Sequence, residues 1–374
     1  MYNFNYSGMF SARIKDWMVA EEWETMDQAI YSTIKLKLLN GSYWFWLMSD
    51  YNHDNPSMLQ VIISHGAVNY TLNNKKFICK HISDESFECY CGVWQYKDGE
   101  IRDIIHDNCS CTVRPGEFLC VTESGYHISI SHTFPFYNLQ VLKGNSVITK
   151  FQATSTPFTR GYIQNPTVSY PSKMAFSDDF NAYARNSRGF QYIIASKMSD
   201  IFSTCKGTLF DRDFYGSFWL ERALGFGLTL PWKIIMVNFS DRSRLWYRYF
   251  PSRILNYGTP LEFIFDDITT KKRYTFNEMT IEYTGRNLSA TKKFGASVDT
   301  VHLTGKGDRG ETLHLDAKIL GRHLYQYAII PVVKFNYNQI VLDINDLDIQ
   351  ADGIDLLQGK KTTLSYGEDA YFSI

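Results

Sequence analysis

The sequence predicts an all-β protein built as two antiparallel β-barrels in tandem, with few short helices. Three observations carry this. Tyr 25, Phe 26 and Trp 8 bring aromatic residues to 16% of the 374, and such side chains suit pleated, half-buried surfaces better than helical bundles. Apolar and polar residues alternate over run after run, each run closed by a turn signal. The length exceeds one small domain and suits two of ordinary size, and closure into barrels is how long antiparallel strands lose their exposed edges.

The elements follow in order. Asp16 to Ile30 carries the one helical pattern, with Trp17, Met18, Trp23, Met26 and Ile30 able to share a face, a helix placed to cap a barrel end. STIKLKLL and SYWFWLM flank Asn40-Gly41, the dipeptide most at home in a two-residue hairpin turn. Asn73-Asn74, Asp98-Gly99 and Gly144-Asn145 repeat the signal between further strand-like runs, so residues 1–155 read as an antiparallel meander forming the first barrel. Residues 156–199, with Pro157, Pro166 and Pro171 among Ser, Thr and Asn, read as a connector. Alternating runs resume and carry the second barrel over 200–374. An eight-stranded barrel can hold one small ligand.

Charge and composition exclude several classes. Lys+Arg 38 against Asp+Glu 39 leaves a net charge of -1, so no long-range field draws the chain to nucleic acid. The start has no basic segment followed by an apolar stretch, and the expected compartment is the cytoplasm. No run approaches the roughly 20 apolar residues of a spanning helix, which leaves peripheral contact as the only membrane role expected. Serine-hydrolase elbows, phosphate-cradling P-loops and the strand-helix dinucleotide fingerprint are absent from the sequence, and no cofactor is expected. His53, His65, His127 and His132 show no ligand spacing, and Asp241 reads as a turn residue satisfying local backbone.

Seven cysteines are an odd number for a disulfide framework, and a cytoplasmic setting favours thiols. Cys89-x-Cys91 and Cys109-x-Cys111 depart from the C-x2-C loop that points two sulfurs at one zinc. In a strand each pair lies on one face, so these residues read as buried strand thiols, and no metal site is expected.

The stretch from Lys206 to Phe250 is the densest. Its G-T-L strand, the G-x-x-W-x-E-R-x-x-G run, Pro231-Trp232 and the F-S-D-R-S turn resemble the second lipocalin-like domain of the carotenoid 1,2-hydratase and AttH-like proteins. The likeness extends in outline from Lys35 to the closing GKKTTLSYGEDAYFSI. It implies two lipocalin-like (calycin) barrels and, as in several of those proteins, hydratase or cyclase chemistry on prenyl or polyene compounds. The departures are specific. Arg222 stands where the hydratase-like members have histidine, Leu224 where they have tryptophan, and Tyr247 and Tyr249 flank Arg248 where an acid protonates the alkene.

Read on their own, Phe218, Leu220, Arg222 and Leu224 share one strand face and Trp219, Glu221 and Ala223 the other. With the first set inward, Arg222 sits in an apolar chamber and needs an anionic partner. With the second inward, Glu221 beside Trp219 is desolvated and becomes a proton donor. Glu221 and Arg222 are the candidate catalytic residues, and Trp219, Trp232, Tyr247 and Tyr249 the candidate substrate-binding ones. The expected partner is an apolar small molecule, prenyl, terpenoid or polyketide-like, cyclised, isomerised or hydrated in a barrel cavity. The alternatives are a carrier anchored by Arg222 and a structural module whose aromatics are core.

Overall fold

A computed structural model describes residues 14–15, 41–52, 54–66, 70–78, 80–83, 86–114, 117–133, 136–154, 161–164, 195–226, 232–249, 261–284, 299–330 and 333–373. Among these there is no helix, and the predicted Asp16 to Ile30 helix lies outside them. No helix of the described residues is long and apolar enough to cross a membrane.

Antiparallel pairing closes ten strands into a barrel. The order runs Ala195–Leu209, Ser146–Thr154, Phe136–Lys143, Tyr126–Thr133, Glu117–Thr122, Glu100–Arg114, Ser86–Lys97, Met58–Gly66, Gly41–Asp50 and Arg212–Phe226, and the last pairs back with the first. Chain order and sheet membership part company here. The hairpin Ala195–Leu209/Arg212–Phe226, drawn mostly from the stretch read as the second unit, fills the gap between Ser146–Thr154 and Gly41–Asp50. Both edges of Gly41–Asp50 are thereby taken, by Met58–Gly66 and Arg212–Phe226; the STIKLKLL run lies outside the described residues.

The second sheet follows the order Lys272–Thr275, Leu261–Asp267, Arg244–Tyr249, Trp232–Asn238, Ser365–Ser373, Val333–Ala351, Thr312–Ile330, Thr300–Lys306 and Glu278–Thr284. It curls onto itself at the Phe276-Asn277 corner, where the Phe276 N–H donates to the Phe263 carbonyl at 2.8 Å and the Asn277 N–H to that of Lys306 at 2.8 Å. A hairpin from the first unit, Tyr70–Leu72 and Lys75–Phe77, adds to this sheet through Leu72 opposite Tyr327. The turn residues behave as their chemistry demands: Asn73, Asn74, Asp98, Gly99 and Gly144 all take positive φ.

Three cores result. One fills the ten-stranded barrel with Trp46, Met48, Phe118, Phe151, Phe214, Phe218 and a group of cysteines. Another fills the second sheet with Phe239, Tyr247, Phe263, Phe265 and Phe276. The third joins the two units: Phe45, Leu47, Trp94 and Trp219 meet Trp246, Phe335, Tyr337 and Tyr366. Trp219 is its pivot, with ring centroids 4.7 Å from Phe45, 5.1 Å from Trp246 and 6.0 Å from Tyr366. Fully burying one such side chain contributes about 1.5–3 kcal/mol, so the joint is as much a core as the two interiors.

Candidate functional site

The strand Arg212–Phe226 is covered on both faces, so both alternations drawn from its sequence find a use. Phe218 and Leu220 enter the barrel core, while Trp219 faces the second unit. Glu221, 4% exposed, shares the Trp219 face and stands opposite Phe45 in the ladder. The Arg222 backbone pairs with Trp44 and Ser199; its side chain lies outside the described ones. Tyr249 is paired with Lys233 and Leu261, again without a described side chain. Tyr247 is fully buried in the core of the second sheet, 5.5 Å from Phe263 between ring centroids. Asp241 behaves as its turn role requires, accepting from the Ser243 N–H and hydroxyl at 2.9 Å each, and also receives the Lys360 ammonium.

Trp232 leads to the polar centre. Half-buried against Phe335 and Tyr337, it donates its indole N–H to Glu368 Oε2 at 2.6 Å. The Tyr337 and Tyr366 hydroxyls donate to Glu368 Oε1 at 2.6 and 2.7 Å, and Gln339 Nε2 donates to the Tyr337 oxygen at 2.8 Å. The other Gln339 atom, Oε1, accepts from the Trp94 indole of the first unit. Burial, and then the Glu368 charge, push the Tyr337 and Tyr366 hydroxyls well above their ordinary pKa. This network crosses the joint and places Trp219 and Trp232, two of the six sequence candidates, on one continuous set of contacts through Tyr366 and Glu368.

The next residue, Asp369, points the other way because side chains alternate along a strand. Its ladder partner Lys233 shares a strand face with Ile235 and Val237, which are core of the second sheet. Asp369 therefore sits on the core side, one pair beyond Ile235 and its neighbour Tyr247. Its side chain is 2% exposed, with the Lys233 ammonium 3.7 Å from Oδ1. Oδ2 has no hydrogen-bond partner among the described residues. Burial raises the Asp369 pKa to about 7 against the weaker opposing pull of Lys233, and burial likewise lowers that of Lys233 against the pull of Asp369. Desolvation thus outweighs attraction for both partners.

Two adjacent acids so acquire different chemistry. Glu368 has its oxygens occupied by three donors and acts as a structural acceptor. Asp369 has an unoccupied oxygen and a pKa at which it can give or take a proton near neutrality. Asp369 lies two strands away in the sheet from the Tyr247–Tyr249 stretch. The sequence reading missed it, although G-E-D-A-Y-F places two acids in an otherwise apolar closing strand. It missed Lys233 for the same reason: each residue gains its meaning only from the ladder that joins them.

No protein-family model matches the chain, and no curated protein matches it. Solved structures do. A protein assigned as AttH from Nitrosomonas europaea is 11% identical with a TM-score of 0.41, the match covering 88% of this chain and 92% of that one. Kievitone hydratase from Nectria haematococca is 6% identical with a TM-score of 0.40, covering 92% of each chain. CghA, solved with Sch210972, is 10% identical with a TM-score of 0.39, covering 88% of each. The described residues themselves form an all-β architecture of a closed ten-stranded barrel and a second curled sheet.

Proposed function

We propose that the protein binds an apolar small molecule, prenyl, terpenoid or polyketide-like, at the Asp369 end of the second sheet and rearranges it by proton transfer. Hydration, isomerisation and cyclisation all begin that way. The single observation supporting this is Asp369 itself, a buried carboxyl with a pKa of about 7 and one oxygen without a partner.

In its neutral form Asp369 would donate to an alkene or enol carbon. The cation that develops is stabilised by aromatic faces, with Tyr247 one pair along the same ladder. The carboxylate left behind gains the Lys233 ammonium as its counter-charge, an interaction worth more after proton transfer than before it. Trp232 and Glu368, on the opposite face of the strand, hold Asp369 in place. Trp219 and Tyr249 keep their proposed parts in substrate binding, and Glu221 and Arg222 theirs as candidate catalytic residues, at the joint and the strand ends.

The test is mass spectrometry of the protein after incubation with terpenoid and lipid extracts, beside Asp369→Asn and Lys233→Met. The wild type is expected to yield a compound absent from the input, and Asp369→Asn to retain the input compound unchanged. Conversion by Asp369→Asn at the wild-type rate would refute the role of Asp369, and recovery of only unchanged compound from the wild type would make the protein a carrier. Because the donor is the protonated form, turnover is expected to fall tenfold per pH unit above about 7, read from a pH profile of the conversion rate.

A further inference from the structure

The interior of the ten-stranded barrel contains a second chemical feature, independent of Asp369. Three adjacent strands, Ser86–Lys97, Glu100–Arg114 and Glu117–Thr122, turn Cys89, Cys91, Cys109, Cys111 and Cys120 to the same inner patch. Cys89 lies opposite Cys109 and Cys111 opposite Cys120 in the ladders. None is more than 3% exposed. The Cys89 sulfur is 3.2 Å from those of both Cys109 and Cys111, and the latter two are 3.6 Å apart. Cys111 and Cys120 are joined as a disulfide, which corrects the expectation of thiols for that pair. Cys89, Cys91, Cys109 and Cys205 are thiols.

We propose that, with this disulfide reduced, Cys89, Cys109, Cys111 and Cys120 form a four-thiolate site for a soft divalent ion, zinc in the first instance. A tetrahedral zinc with sulfurs at about 2.3 Å holds them about 3.8 Å from one another. The separations among Cys89, Cys109 and Cys111 fall short of this by a few tenths of an ångström, within reach of small χ1 rotations, and Cys120, which is not among the sulfurs within 4.8 Å of one another, turns in beside Cys111 once their bond is opened. Along one strand, a C-x-C pair by itself lacks the loop that points two sulfurs at one zinc. Pairing across strands supplies what the loop of a C-x2-C motif supplies elsewhere, since Cys109-x-Cys111 puts two sulfurs on one face and the neighbouring strands bring Cys89 and Cys120.

Phe87, Phe118, Val93 and Ile105 enclose the patch, and a metal ion bound among them takes the sulfurs as thiolates, because coordination removes the proton outright. The balance is simple. A dithiol reductant takes the Cys111–Cys120 bond as its own disulfide and leaves two protein thiols. One Zn2+ then displaces four thiol protons and forms four Zn–S bonds. Oxidation of Cys111 and Cys120 by a disulfide reagent withdraws two of the ligands.

The experiment uses the full chain, purified reduced under a non-chelating phosphine and titrated with Co2+ and then Zn2+. One equivalent of cobalt is expected to bind with the intense visible bands of a tetrahedral thiolate complex, to be displaced by one equivalent of zinc, and to release four protons. Cys89→Ser and Cys109→Ser are expected to weaken binding roughly 100-fold or more, while Cys205→Ser, whose sulfur faces the Ser217 carbonyl instead, leaves it unchanged. If the serine variants fail to fold, the native protein decides: reforming the disulfide must abolish the cobalt bands. Absence of those bands from the reduced protein, or their survival after reoxidation, would overturn the proposal.

Discussion

Glu368 and Asp369 are one peptide bond apart and separated by a whole sheet in environment. The difference has a thermodynamic signature. The folded-state pKa of Asp369, about 7, lies above the unfolded value near 4. Between those values the native protein holds a proton that the unfolded chain has lost. The favourable contribution is complete below about pH 4 and is lost as pH rises through about 7. The shift of about three pKa units corresponds to about 4 kcal/mol. Asp369→Asn removes this dependence, so urea unfolding of wild type and variant at pH 4 and 7.5 is expected to shift in favour of the variant by up to that amount at the higher pH. Parallel stability curves would mean that Asp369 ionises at its ordinary value and that its assignment as proton donor fails. At the same scale, Trp232→Phe keeps the ring contacts with Phe335 and Tyr337 but removes one donor from buried Glu368. An uncompensated buried acceptor costs about 1–3 kcal/mol, and the midpoint of chemical denaturation is expected to fall accordingly. An unchanged midpoint would show that another group replaces the indole.

At the scale of the element, the seam between Arg212–Phe226 and Gly41–Asp50 makes a sharper demand. A Cβ at Gly216 would overlap the Ser49 carbonyl oxygen, which is backbone and cannot turn away. Gly216→Ala is therefore expected to destabilise the protein by about 2–4 kcal/mol by forcing those strands apart, seen as a lower denaturation midpoint with faster hydrogen exchange in Gly41–Asp50. An effect confined to a few tenths would mean that the seam yields. Elements were the most legible level in the sequence. Asn73-Asn74, Asp98-Gly99 and Gly144-Asn145 announced their turns because those residues accept positive φ cheaply. The Phe210-Asp211 turn did not announce itself, since Phe210 takes φ 47° and a phenylalanine there breaks the usual turn chemistry. The run Phe45 to Met48 is apolar at every position because its strand is buried on both sides, in the barrel through Trp46 and Met48 and at the joint through Phe45 and Leu47. Alternation tells which side chains share a face; it does not tell which strand lies alongside, and the site depended on that second fact.

For the whole molecule, partner choice is what sequence periodicity leaves open. Lys233 and Asp369, or Cys89 and Cys111, are unremarkable along the chain and meet only through the ladders. The same holds for the hairpin Ala195–Leu209/Arg212–Phe226, which supplies two of the ten strands of a barrel whose other eight precede residue 155. A chain ending at residue 194 would leave Gly41–Asp50 and Ser146–Thr154 as open edges, with the apolar residues Phe45 and Leu47 uncovered as well. Exposed edges of that kind pair with other chains. Residues 1–194 expressed alone are therefore expected to aggregate. Coexpression with residues 195–374 is expected to give a soluble 1:1 complex with the near-ultraviolet circular dichroism of the intact protein, because the fragment returns both missing strands and the Trp246, Tyr337 and Tyr366 side of the joint. A monomeric fragment 1–194 with cooperative unfolding would show instead that the eight strands close among themselves. The hairpin would then be an addition to a finished barrel, and Trp219, which it carries, would be a contact between units rather than the pivot of a shared core.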